Sequence, residues 1–177
     1  MKLSRRLGLV LVIAYVVALT AGFYFLSGQH RVSGPQTAAA TSCHSTGGLP
    51  DPKCTPGAVD PRVAQDNIHS TICVSGYTAT VRPSSAYTDA LKTQQIKEYG
   101  YLDTNLADYE EDHLIPLELG GHPTDPKNLW PEPRGGAASA SDKDRVENAL
   151  HVKVCGGTLT LSAAQSAIAT DWLTAVG

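Results

Sequence analysis

Asp112 and His113 stand side by side, Asn128 follows, and Glu147 and His151 come four residues apart farther on. A carboxylate next to an imidazole can divide the work of hydrolysis, one holding a cation while the other takes a proton from water. Histidine suits the second task because its ordinary pKa lies closest to neutrality. Glu147 and His151 share one face if they lie on a helix, so both can converge on a single ion with Asp112. Carboxylate and imidazole donors suit one divalent ion, Mg²⁺, Mn²⁺ or Zn²⁺, and composition does not choose among them. Lys127, Arg134, Lys143 and Arg145 lie near this group in sequence and offer cations to a substrate phosphate. Together these residue types point to metal-assisted hydrolysis of a phosphodiester.

The elements that must position them can be read around the run YEEDHLIPLELGG. Its first part reads as a short strand ending at Pro116, Gly120 and Gly121 supply a turn, and Asn128-Leu129-Trp130-Pro131 starts the return strand. Neighbouring strand residues face opposite ways, so Asp112 and His113 address different surfaces. The Asn128 amide can bond backbone groups across the loop and hold His113 in place. Ser141 with Asp144 resembles a capping box that starts a helix, whose buried stripe is Val146, Ala149, Leu150 and Val154. Upstream, Ser70–Val74 and Thr78–Arg82 read as strands turning at Ser75-Gly76, and a helix runs from Ser84 or Ser85 to about Tyr99. A last helix, opened by Ser162 and Gln165, presents Leu161, Ile168 and Trp172 to the rest. Glu110 and Glu111 read as a solvated edge, His122 as an exposed loop residue and Trp130 as core. The expected class is a small α+β domain over residues 61–177.

Charge is unevenly spread along the 177 residues. Four of the 14 Lys and Arg precede residue 50, whereas all 17 Asp and Glu follow it, leaving ten bases against 17 acids in the body. Such a surface disfavours non-specific attraction to phosphate backbones, so any nucleic-acid contact must be local. Leu7–Leu26 contains no charge and follows Lys2, Arg5 and Arg6; twenty such residues span ~30 Å as a helix, a bilayer's hydrocarbon thickness. It reads as a transmembrane anchor, with a cleaved signal as the alternative, and either exports the body. Residues 28–60 read as a Gly/Pro/Ser-rich linker. Cys43, Cys54, Cys73 and Cys155 include no CxxC pair, which favours two disulfides over a zinc knuckle in an exported chain. Three pairings exist; Cys43 with Cys54 and Cys73 with Cys155 are favoured, the second tying an early segment to the end of the site helix.

The pattern D-H-x-I-P-L-x-x-G-G, the later N-L-W and a helix carrying polar ligands resemble the HNH branch of the ββα-metal, or His-Me finger, endonucleases. From about Thr71 to Trp172 the chain is similar to HNH-like proteins that are exported or membrane-anchored in bacteria. The resemblance implies a ββα finger, with His113 as general base and Asn128 as the residue that orients it. It implies Asp112 as a metal ligand, His151 as the favoured ligand from the helix and Glu147 next, around one divalent ion. Nucleic acid is the implied substrate, DNA ahead of RNA, and no obligate protein partner is implied. Two departures stand out. The stretch from Asn128 to Glu147 is long for the family, with residues 134–138 inserted, and no CxxC pairs brace the finger. A catalytically silent finger serving as a surface binding or envelope module is the alternative.

Overall fold

In the computed structural model, which describes residues 43–176, the helical elements surround one hairpin. The chain divides into two units, Met1–Ala39 and Ala40–Gly177, and the described residues fall in the second. Its elements are α1 (Tyr77–Val81), α2 (Ser85–Glu98), β1 (Tyr109–His113), β2 (Leu129–Pro133), α3 (Ala140–Cys155) and α4 (Leu161–Asp171), with short 3₁₀ turns between them. β1 and β2 form an antiparallel two-stranded sheet in which Asp112 pairs with Trp130 and His113 with Leu129. The order strand, strand, helix in β1, β2 and α3 makes this an α+β domain.

A two-stranded sheet is marginal alone, so its faces must be covered. α2 lies across it and bonds it directly: Gln95 Nε2 donates to Leu129 O at 2.9 Å and Lys92 Nζ to Tyr109 O at 3.3 Å. The larger core gathers Ile68, Ile72, Ile115, Leu119, Leu150, Val154, Ile168 and Trp172. Four of these, Leu150, Val154, Ile168 and Trp172, come from the stripes expected of the last two helices. A second cluster packs Trp130 with Tyr99 and Cys43. Burying a Leu or Ile side chain contributes about 2 kcal/mol, which is how polar helices such as α2 and α3 are retained.

Several expectations are corrected. The stretch read as two strands forms instead the end of a 3₁₀ turn over Gln65–Ser70, a bend, and α1. Gly76, at φ 81°, caps α1, and no strand among the described residues offers 70–82 a ladder, so tertiary context overrides β-branched propensity. α3 starts two residues early: its cap is Ser139, whose backbone N–H and hydroxyl both bond Asp142 Oδ2, at 2.9 and 2.8 Å. α4 is capped by Thr160, which accepts from Ala163 N, rather than by Ser162.

Residues 43–60 are packed rather than a free linker. Thr55 is buried against the Tyr99 hydroxyl at 2.7 Å, and Val59 bridges Gly121. The segment read as an anchor, Leu7–Leu26, lies outside the described residues, among which no helix is long and apolar enough to cross a membrane.

Both favoured disulfides are present, Cys43–Cys54 and Cys73–Cys155. The second spans 82 residues, so by loop-closure entropy its reduction costs about 4 kcal/mol. In a variant with Cys43 and Cys54 replaced by Ala, which keeps only this disulfide, urea melts with and without a phosphine reductant should show that loss.

Candidate active site

The Gly120-Gly121 turn and Asn128 set the far end of β1. Asn128 is fully buried, and its amide meets four backbone groups: Oδ1 accepts from Ile115 N at 3.0 Å and Ala58 N at 3.2 Å, while Nδ2 donates to Ile115 O at 2.9 Å and His122 O at 3.2 Å. Leu114 N also donates to Asn128 O at 2.8 Å. The residues immediately after His113 are therefore tied to the start of β2, as the sequence suggests. The bonds reach the loop's peptide groups, not the imidazole.

His113 is 5% exposed, and its Nε2 lies 3.0 Å from Pro123 O. A carbonyl can only accept, so Nε2 carries the proton and Nδ1 holds the lone pair in the neutral ring. Burial holds the pKa of His113 below its ordinary value, against the opposing pull of the Pro123 carbonyl and Asp112; Arg82 and Lys143 depress it further. The ring is thus neutral near pH 7.

His113 lines a cleft of about 250 Å³ together with Arg82, Thr88, Lys92, Glu111 and Arg134. Arg82 and Lys92, which sequence reasoning missed, come from the end of α1 and from α2, far from the motif in the chain. Arg134, expected near phosphate, is there too and pairs with Glu110 Oε2 at 2.7 Å. Glu111 departs from the solvated edge expected of it. Its carboxylate oxygens are buried without a hydrogen-bond partner among the described residues, and burial, opposed by Lys92 and aided by Asp112 and Asp89, pushes its pKa up to about 8. Alternation along β1 puts Glu111 and His113 on one face, about 7 Å apart along the strand.

Asp112 turns the other way and meets α3. Its Oδ2 is 2.6 Å from Lys143 Nζ, which also donates to Glu147 Oε1 and, at 2.8 Å, to His113 O. Lys143 is fully buried, so the phosphate-binding role expected of it does not fit its placement. Burial alone would lower its pKa, but Asp112 and Glu147 hold it well above the usual lysine range. Glu132, also fully buried, stays largely protonated because burial disfavours its charge.

The expected ligands are therefore only partly brought together. Asp112 and Glu147 converge, but on the Lys143 ammonium. His151 is elsewhere, its Nε2 bonded to Ile72 O at 2.9 Å and 3.3 Å from Cys155 Sγ. Among the described residues, the His/Cys/Asp/Glu group close enough to hold an ion is Cys73, His151 and Cys155. That cluster could hold a metal ion, but its sulfurs are here joined as a disulfide and offer no thiolate. The Asp112, Glu147 and His151 triad does not fit a metal in this arrangement. Lys127 is exposed within the 3₁₀ turn Pro126–Asn128 before β2. Arg145 is exposed on α3, paired with Asp142.

Comparison of the chain with family models, curated proteins and solved structures finds no match to any of them. The functional reading accordingly rests on the residues themselves.

Proposed function

We propose that this domain hydrolyses phosphodiester bonds of nucleic acid, as a nuclease of the HNH-like kind, with His113 as general base and the cations of Arg82, Lys92 and Arg134 receiving the phosphate. The observation that carries the reading is the neutral, oriented imidazole of His113 in a cleft lined by those three cations. The cleft also holds Asp89, Glu110 and Glu111, with Lys92 paired to Asp89 at 3.5 Å and Arg134 to Glu110 at 2.7 Å, so a phosphate entering it would compete with these carboxylates for the cations. In the reaction His113 Nδ1 takes a proton from water as its oxygen attacks phosphorus. The bond to the leaving oxygen breaks, and Glu111, a neutral acid below about pH 8, supplies that oxygen's proton. Because Asp112 and Glu147 hold an ammonium, no step is assigned to a metal ion.

The test is cleavage of plasmid DNA, single-stranded DNA and RNA, each with EDTA and with Mg²⁺ or Mn²⁺. The expected rate profile is a bell. Activity needs His113 unprotonated, so with its pKa depressed the acid limb falls below pH 6.5; it needs Glu111 protonated, so the alkaline limb falls near pH 8. Glu111→Gln should flatten the alkaline limb and lower the plateau. Absence of cleavage of all three substrates would refute the reading and favour the silent binding module.

A further inference from the structure

We propose that the Lys143 ammonium takes the position of a divalent cation between Asp112 and Glu147, and so holds the His113 end of β1 without a metal.

The groups around Nζ form the donor set a hard cation would choose: a strand carboxylate, a helix carboxylate and the backbone oxygen of His113 itself. The ammonium offers three N–H groups to three oxygen partners, so its bonding capacity matches the site. Glu132, on the strand opposite, adds a third carboxyl close enough to act on the lysine. A buried ammonium and a divalent ion cannot share this space, because like charges in contact repel strongly where water is excluded. The placement follows from local structure. The Ser139 and Asp142 cap fixes where α3 begins, which sets Lys143 and Glu147 one turn apart on the face toward β1. Lys143 is thus a positioning residue: its bond to the His113 carbonyl ties α3 to the backbone that carries the base. This extends the nuclease reading, but its test does not depend on cleavage.

Mn²⁺ binding is measured by electron paramagnetic resonance on the full-length protein, comparing wild type, Asp112→Asn, Lys143→Ala and the double variant Asp112→Asn with Lys143→Ala. Wild type is expected to show no Mn²⁺ site that Asp112→Asn removes. Lys143→Ala empties the ammonium position and should bind one Mn²⁺ at least a hundredfold more tightly than wild type, with the gain lost in the double variant. A wild-type site that disappears in Asp112→Asn would overturn the proposal, as would a folded Lys143→Ala protein without a gain in affinity. Should Lys143→Ala not fold, Lys143→Gln takes its place, and the comparison of wild type with Asp112→Asn still decides. Failure of the nuclease reading would show as absent cleavage whatever the Mn²⁺ result.

Discussion

Gly121→Ala should prevent folding, or cost more than about 4 kcal/mol where folded protein is recovered. A Cβ at this position would lie 1.7 Å from Ile115 O, 2.6 Å from Ile115 C and 2.8 Å from Asn128 Nδ2. Two of these atoms are backbone, and the third is pinned by bonds to Ile115 and His122. Nothing can yield without breaking the Asn128 brace, so the single methyl unseats the loop that follows His113. Urea unfolding followed by circular dichroism measures the effect. Gly135→Ala is the control: it is exposed with open space around it, and should change stability by less than about 0.5 kcal/mol. Equal midpoints for the two variants would mean that the turn is not packed as described.

His113→Ala should lower kcat by about 10²- to 10⁴-fold while KM changes little, the range expected when a general base is removed. The imidazole touches the reacting water in the proposed reaction, whereas the phosphate is received by Arg82, Lys92 and Arg134, which remain. The variant also leaves a small void at a buried site, so rates must be taken well below its melting temperature. His113→Gln separates the two effects: its side chain can still donate to Pro123 O and fill the space, yet cannot accept a proton near neutral pH. Loss in both variants with a retained melting profile supports the base role. Wild-type rates in either would refute it.

The hairpin was legible from the glycine pair and Asn128, whose buried amide must find partners and finds them in the loop it faces, although β1 ends at His113 rather than at the expected Pro116. Both favoured disulfide pairings are the ones formed, but only Cys43 and Cys54 are near each other in sequence; Cys73 and Cys155, 82 residues apart, are brought together by the packing of α3. The inward turn of Lys143 was not legible. Lys143 read as a cation for substrate phosphate and Glu147 as a metal ligand, and only Asp112 and Glu132, brought from the sheet, make that face of α3 interior. Arg82 and Lys92 were missed because they precede the motif and reach the cleft through the packing of α1 and α2. The error over residues 70–82 has another origin. Thr, Val and Ile favour a pleated surface only where a neighbouring strand exists to pair with, and among the described residues none pairs with this stretch.

The indole of Trp172 donates to Gly48 O at 3.0 Å, so the first and last parts of the domain close on each other. On a ribosome the chain is made from one end, and His113 emerges well before α3 brings Lys143 and before Trp172 reaches back to Gly48. The Pro123 carbonyl and Asn128 follow His113 closely in the chain, whereas Lys143, which bonds the His113 carbonyl, comes later. On the proposed reading, the backbone brace of His113 is complete only once α3 has supplied Lys143.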